Sequence, residues 1–138
     1  MTKKVLISTG GSGGHVIPAT TIYNHLNNTY ETSISTDNRG LSYLDKNYNT
    51  FVINTPKLNN FILFPISVVK ILFLTIKSFF LLKKKNISIL ISTGGYMSLP
   101  LCLAAKILGI KIFLIEPNMV LGRANKFYLN FSKKLICY

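Results

Sequence analysis

Residues 5–11 read VLISTGG and residues 89–95 read ILISTGG, so that six of the seven positions are identical. In both copies a β-branched apolar run ends in two glycines. This pattern is typical of a parallel strand that is buried on both faces and leads through a tight loop into a helix. The repeat therefore predicts an α/β fold that uses one strand, loop and helix unit twice.

The rest of the chain continues this alternation. Pro18 stands where the first turn of a helix tolerates proline, and Ser98 is placed to cap the helix that follows it. The order predicts a Rossmann-like, doubly wound parallel sheet, with ligands at the carboxyl ends of the strands. We predict strands over residues 5–9, 31–36, 50–54, 87–92, 110–115 and from 134, and helices over 18–26, 40–46, 61–84, 99–108 and 122–130.

The composition limits the classes of partner. The 138 residues include 16 Lys and Arg but only four Asp and Glu, which gives a formal charge of +12, and 49% are hydrophobic. The hydrophobic content excludes a disordered basic tail. The charge favours an anionic membrane or a phosphorylated ligand, unless it reflects compositional drift, and no nucleic-acid-binding signature is present. Four acids leave little for a two-carboxylate glycosidase or a carboxylate-bound Mg²⁺, so we expect no metal and no cofactor.

One apolar stretch, FILFPISVVKILFLTIKSFFLL at residues 61–82, has the length of a membrane span. Pro65, Lys70 and Lys77 interrupt it, and the two lysines lie two turns apart on one helix face. This pattern predicts a helix in the membrane interface, although a helix of the protein core has similar composition. The side chains expected to contact the membrane are Phe61, Phe64, Lys70, Phe73, Lys77 and Phe80.

The first loop, GGSGGH at residues 10–15, is rich enough in glycine for its backbone to approach a ligand closely, and it precedes a helix N-terminus. These features favour a diphosphate. The loop is not a P-loop, and Val16 replaces the third glycine of the dinucleotide fingerprint. Asp37 could still bind a ribose, so a dinucleotide site stays open as an alternative. A tight turn without a ligand is another.

His15 follows the glycines at the mouth of this expected site. A neutral imidazole there could take a proton from an attacking hydroxyl. The sequence equally allows a histidine that only hydrogen-bonds a phosphate.

Two further loops carry polar or aromatic side chains. Gly94 and Gly95 offer a second anion-binding loop, and Tyr96 adds an aromatic wall and a hydroxyl. Glu116 follows the next predicted strand. Asn118 and Asn125 can donate and accept hydrogen bonds together, which suits a sugar diol.

Three motifs together resemble the MurG family of bacterial transferases, which add N-acetylglucosamine to the undecaprenyl-diphosphate-linked muramyl-pentapeptide precursor of the cell wall. They are GGSGGHVIPA at residues 10–19, GGYMSLP at 94–100 and EPNMVLGRANK at 116–126, in the family's order and spacing. Ser12 stands where the family usually has Thr. Ile115 and Pro117 stand where it usually has His and Gln.

The resemblance implies the N-terminal, acceptor-binding half of an inverting, two-domain GT-B glycosyltransferase at the cytoplasmic face of an anionic inner membrane. Residues 1–138 are then one domain of a longer protein, inactive alone, whose C-terminal domain binds most of UDP-N-acetylglucosamine. The implied catalytic residues are His15 and Glu116. The implied donor contacts are Ser12, Gly13, Gly14 and Asn118, and the implied contacts to the acceptor diphosphate and sugar are Gly10, Gly11, Gly94, Gly95, Tyr96 and Asn125.

Three other functions remain possible from the sequence. One is a non-catalytic, membrane-docking subunit of a split glycosyltransferase, and another is a dinucleotide-binding module. The third, a lipid glucosyltransferase of the same superfamily, is less favoured by the motifs GGYMSLP and EPN.

Overall fold

A computed structural model describes residues 2–56, 64–118 and 120–137. Short 3-10 turns lie at Gly40–Tyr43, Tyr96–Ser98 and Leu129–Phe131. The strands are β1 (Lys4–Ser8), β2 (Glu31–Thr36), β3 (Thr50–Val52), β4 (Ile87–Ser92), β5 (Lys111–Glu116) and β6 (Lys134–Cys137), and the helices are α1 (Gly13–Leu26), α2 (Phe64–Lys84), α3 (Leu99–Ile107) and α4 (Arg123–Tyr128).

The six strands form one sheet in the order β3-β2-β1-β4-β5-β6, and every neighbouring pair is parallel. The order reverses between β1 and β4, so the connections before and after this point cover opposite faces of the sheet. Ala19 and Tyr23 of α1 pack on one face, and Leu82 of α2 and Leu101 of α3 pack on the other. The predicted doubly wound parallel sheet is confirmed.

The start of α1 corrects one prediction. The helix begins at Gly13, so Pro18 lies in its second turn rather than its first. The chain turns helical directly after the glycines, and this places Gly13 and Gly14 in the turn whose N–H groups have no carbonyl partner within the helix. The N–H groups of the glycine motif are thus part of the helix terminus itself.

The role predicted for Ser98 is also wrong. Its hydroxyl makes no capping bond to α3 and instead donates to the carbonyl of Gly95 at 2.7 Å. The 3-10 turn before α3 brings the serine back under the loop, because its residues turn more tightly than an α-helix. Ser98 therefore supports the second glycine loop rather than the helix.

Helix α2 exposes more large apolar side chains than a helix of a soluble core does. The side chains that face the protein include three hydroxyls, whereas the opposite side, which we call the outer face of α2, is apolar. By length and composition this helix could cross a membrane, but only 28% of its most apolar window is buried inside the fold. The buried residues are Ser67, Ile71, Thr75, Ser78 and Leu82, and the outer face consists of Ile66, Val69, Leu72, Phe73, Ile76 and Phe80.

Candidate active site at the carboxyl edge of the sheet

A cavity of about 200 Å³ opens where β1, β4 and β5 end. Three loops meet there, because the carboxyl ends of parallel strands share one edge of a sheet. The lining residues are His15, Gly94, Gly95, Tyr96, Glu116, Asn118, Gly122, Ala124 and Asn125.

The two glycine loops are locked together beside the cavity. The hydroxyl of Thr93 donates to the hydroxyl of Thr9 at 2.8 Å, and the Thr93 N–H donates to the carbonyl of Ser8 at 3.1 Å. A Cβ atom on Gly10 would lie 2.8 Å from Cγ of Met97, which belongs to the second loop. Position 10 therefore has no room for a side chain while the loops stay in contact.

The second loop depends on the left-handed conformations of its glycines. Gly94 has φ +93° and Gly95 has φ +85°, a region that other residues enter only with strain. A Cβ atom on Gly94 would lie 3.3 Å from Nδ2 of Asn125 and 3.4 Å from Cε1 of His15. The bare backbone at Gly94 thus lets two polar side chains approach each other at the cavity.

His15 has an orienting partner that the sequence did not reveal. Its Nδ1 lies 2.7 Å from the carbonyl oxygen of Thr93. A carbonyl oxygen can only accept a hydrogen bond, so Nδ1 carries the proton in the neutral ring, and Nε2 is left as the proton acceptor. This tautomer is the one that a general base in the cavity needs.

Glu116 is buried at the end of β5 and is fully engaged. One carboxylate oxygen accepts the Asn118 N–H at 3.2 Å and the Asn118 side-chain amide at 2.8 Å, and the other accepts the Gly122 N–H at 2.8 Å and the Asn125 amide at 3.0 Å. Burial alone would raise the pKa of Glu116, but these bonds outweigh it and hold the pKa below its ordinary value. The carboxylate is charged and fixes the third loop.

Asn125 presents an open acceptor to this region. Its Nδ2 donates to the carbonyl of Ile115 at 3.2 Å and to Glu116, which fixes the orientation of the amide. The Oδ1 atom is buried and has no hydrogen-bond partner among the described residues. A buried acceptor without a donor is costly, so a ligand hydroxyl or N–H at this point would be stabilising.

Asp37, at the end of β2, is not available to a ribose. One of its oxygens accepts the N–H groups of Gly11 at 3.0 Å and Gly40 at 2.9 Å, and the other accepts Nε of Arg39 at 2.8 Å. Burial favours the neutral acid, but these hydrogen bonds and the Arg39 charge together lower the pKa of Asp37. The arrangement disfavours the dinucleotide alternative.

The structure brings most of the expected site residues to one place. His15, Glu116 and Asn118 line the cavity together with the expected acceptor contacts Gly94, Gly95, Tyr96 and Asn125. The first glycine loop, residues 10–14, borders the cavity without lining it. Sequence reasoning missed Gly122 and Ala124 as lining residues, and it missed the Thr93 carbonyl, for which no side-chain signal exists.

The membrane-contact residues fall into two groups. Lys70, Phe73, Lys77 and Phe80 lie exposed along α2, and Nζ of Lys77 stands 4.8 Å from the ring centre of Phe73. Phe61 lies outside the described residues, and Phe64 is the first residue of α2. Within the described ranges, no group of three or more His, Cys, Asp or Glu side chains is placed to hold a metal ion.

Comparison with known proteins places the chain in a family. Residues 5–136 match the profile described as the glycosyltransferase family 28 N-terminal domain. The chain belongs to this family. Similar named proteins also confirm the resemblance to MurG.

Two of these relatives carry the same name, UDP-N-acetylglucosamine–N-acetylmuramyl-(pentapeptide) pyrophosphoryl-undecaprenol N-acetylglucosamine transferase. The protein of Pelagibacter ubique is 54% identical over 140 residues, covering 100% of this chain and 39% of the relative. The protein of a Wolbachia from Brugia malayi is 35% identical, covering 96% and 37%. The chain thus spans about two fifths of the length of the relatives it matches.

A solved structure supports the same assignment. The crystal structure of Acinetobacter baumannii MurG matches with a TM-score of 0.83 and 26% identity, over 98% of this chain and 41% of that one. The predicted fold, the N-terminal half of a GT-B glycosyltransferase, is therefore confirmed.

Proposed function

We propose that this chain is the acceptor-binding half of an inverting transferase that moves N-acetylglucosamine from UDP-N-acetylglucosamine to the undecaprenyl-diphosphate-linked muramyl-pentapeptide. The observation that carries the proposal is the bond between His15 Nδ1 and the Thr93 carbonyl. It orients the ring as a base at the cavity that the second glycine loop and the loop after β5 line. The names of the relatives supply the substrates.

In the proposed reaction His15 acts as the general base. The 4-hydroxyl of the muramyl sugar attacks the anomeric carbon of the donor, and its proton passes to Nε2 of His15. The bond between the anomeric carbon and the UDP oxygen breaks, and UDP leaves with the electron pair. Attack from the side opposite to UDP inverts the configuration at that carbon. The Thr93 carbonyl stabilises the imidazolium that forms, because the Nδ1 proton already points at it.

The cavity and the first glycine loop beside it would hold the substrates. Gly10, Gly11, Gly94 and Gly95 would let the backbone of both loops approach the acceptor diphosphate closely. The N–H groups of Gly11 and Gly94 already donate to Asp37 and to the Ser92 hydroxyl, so these two positions would contribute space rather than free donors. Tyr96 and the open Oδ1 of Asn125 would contact the acceptor sugar. The donor would meet Ser12, Gly13, Gly14 and Asn118.

Glu116 was expected to be catalytic, and this stays a prediction. Four hydrogen bonds occupy its carboxylate, so the role that its geometry favours is to position Asn118 and Asn125. Proton removal then falls to His15.

The outer face of α2 supports peripheral binding to the cytoplasmic side of an anionic membrane. Large apolar side chains are exposed there, for example Val69 (66%) and Phe80 (64%). Exposed apolar patches of this kind mark interaction surfaces, and Lys70 and Lys77 beside them would contact anionic headgroups. The prenyl chain of the acceptor lies in the same bilayer, so the helix would bring the site to its substrate.

We also propose that most of the nucleotide-sugar pocket lies in a second domain and that the 138 residues alone do not turn over. A chimera tests the whole proposal: this chain joined to the remaining part of the Pelagibacter relative, with UDP-N-acetylglucosamine and a short-chain prenyl-diphosphate acceptor. We expect transfer by the chimera and none by the chain alone. A correctly folded chimera without transfer, or turnover by the chain alone at the chimera's rate, would contradict it.

A further inference from the structure

The segment that follows β2 wraps the first glycine loop on the side away from the cavity. Asp37 accepts the Gly11 N–H at 3.0 Å, and Arg39 donates from Nε to Asp37 at 2.8 Å. A Cβ atom on Gly11 would lie 3.6 Å from Nη2 of Arg39, and one on Gly13 would lie 3.1 Å from the Tyr43 ring. The loop thus has an arginine and a tyrosine against its backbone.

The guanidinium of Arg39 is held by a buried carboxylate, while much of the Arg39 side chain is exposed to solvent. The Asp37 side chain is 5% exposed, whereas the Arg39 side chain is 52% exposed. The bond to Asp37 uses only Nε, and the two terminal nitrogens of the guanidinium make no hydrogen bond within the described ranges. A guanidinium fixed in this way is prepared to bind phosphate oxygens in a bidentate manner, with little side-chain entropy left to lose.

The order of the strands places Arg39 between the two ends of the acceptor. The cavity for the sugar lies on the β4 and β5 side, and the groove that Asn54 shares with Val69 and Phe73 of α2 lies on the β3 side. The diphosphate joins sugar to prenyl chain, and in the order β3-β2-β1-β4-β5-β6 it would pass the ends of β2 and β1. Arg39 and the first glycine loop lie at those ends.

We propose that Arg39 contacts the diphosphate of the prenyl-linked acceptor at the first glycine loop, and that Asp37 is the positioning residue that holds both Arg39 and the loop. The inference rests on the proposed function and adds a cation to that site. The donor also carries a diphosphate, so the test separates the two sources.

The test measures binding of geranyl diphosphate and of UDP to the chimera by calorimetry at fixed salt, because the chimera contains both proposed diphosphate sites. The variant Arg39→Gln removes the charge but keeps a donor for Asp37. Lys111→Gln is the matched control, since Lys111 is exposed at the opposite, amino end of β5. We expect Arg39→Gln to weaken geranyl diphosphate about tenfold or more, Arg39→Lys to recover part of this, and Lys111→Gln to change it less than twofold. UDP binding should be unchanged throughout.

The amide resonance of Gly11 provides the structural control. It should stay in place in Arg39→Gln, because the carboxylate of Asp37 still accepts from it. Wild-type affinity in Arg39→Gln would overturn the inference and leave the proposed function standing. If Arg39→Gln lost affinity and its Gly11 amide resonance also moved, Arg39 would only support the loop. If the loss were confined to UDP, Arg39 would contact the donor diphosphate instead. Absence of geranyl diphosphate binding in the wild type would overturn both the inference and the proposed acceptor site.

Discussion

The imidazole of His15 is oriented by the main chain of Thr93, whose carbonyl oxygen lies 2.7 Å from Nδ1. The two residues are 78 positions apart: His15 lies in the loop after the first copy of the repeated STGG sequence, and Thr93 is the threonine of the second copy. The first copy supplies the proton acceptor and the second copy fixes its tautomer, so the repeat produces one functional unit from two loops.

Replacement of this imidazole should act on the chemical step. In the chimera, His15→Ala should lower kcat by about a hundredfold to ten-thousandfold and leave the KM for UDP-N-acetylglucosamine nearly unchanged. The matched control is His25→Ala, which removes an exposed histidine from the same helix and should leave kcat unchanged. The measurement is kcat and the KM of each substrate for the parent chimera and for both variants. A raised KM for the acceptor with normal kcat would identify His15 as a phosphate ligand instead.

Alanine substitutions at two glycines with positive φ distinguish the effect of backbone strain from the effect of steric contact with the new Cβ atom. Gly94→Ala and Gly109→Ala should each lower the free energy of unfolding by about 1–2 kcal/mol, because both positions are left-handed. An added Cβ would meet Asn125 and His15 at position 94 but nothing within 4 Å at position 109. Only Gly94→Ala should therefore reduce transfer by the chimera. Urea denaturation and initial rates on the same preparations check this, and equal loss of activity in both variants would contradict it.

The buried carboxylate of the third loop makes stability depend on pH. The pKa of Glu116 in the folded protein lies below its ordinary value of 4.5, which is the value expected in the unfolded chain. The carboxylate therefore stabilises the fold above pH 4.5, and this contribution disappears as the pH falls through the lowered pKa. Glu116→Gln should cost about 1–3 kcal/mol at pH 7, since an amide cannot accept all four donors, and should flatten the acid limb of the stability profile.

The control for that experiment is Glu31→Gln, which alters an exposed carboxylate paired with Lys4 at 2.7 Å on the surface. Exposed ion pairs contribute little, so this variant should retain the acid limb of the wild type. Asp37 adds to the same limb with its own lowered pKa, so that Glu116→Gln leaves part of it. An unchanged profile in Glu116→Gln would show that its carboxylate is not bonded as described.

Membrane binding should depend on both chemical features of α2. Phe73→Ser and Phe80→Ser should reduce flotation with anionic vesicles in proportion to the apolar area removed. Replacement of Lys70 or Lys77 by Gln should weaken binding by about 1 kcal/mol per lysine at low salt and by less at high salt. The control Lys111→Gln carries the same charge change at a distant site. Equal affinity for neutral and anionic vesicles would refute the contribution of the lysines.

Much of this molecule follows from its sequence, and the parts that do not have physical reasons. The repeat at residues 5–11 and 89–95 predicts both buried strands and both glycine loops, because apolar runs and glycine pairs are local signals. Arg39 and Tyr43 escaped notice because contact with the first loop depends on how β2 pairs with β1. Pro18 suggested too late a helix start, because proline is most favourable in the first turn of a helix, whereas here it lies in the second turn and has no N–H to donate to the Gly14 carbonyl.

The hydroxyl bond between Thr9 and Thr93, together with the contact of Gly10 with Met97, has a consequence for how the enzyme moves. Neither glycine loop can move away alone without breaking this hydrogen bond and this contact. Any movement of this edge of the sheet would then carry both loops together as one rigid piece. A substrate that binds there contacts backbone that is already in position. The entropic cost of ordering these loops is therefore incurred during folding and not at each turnover.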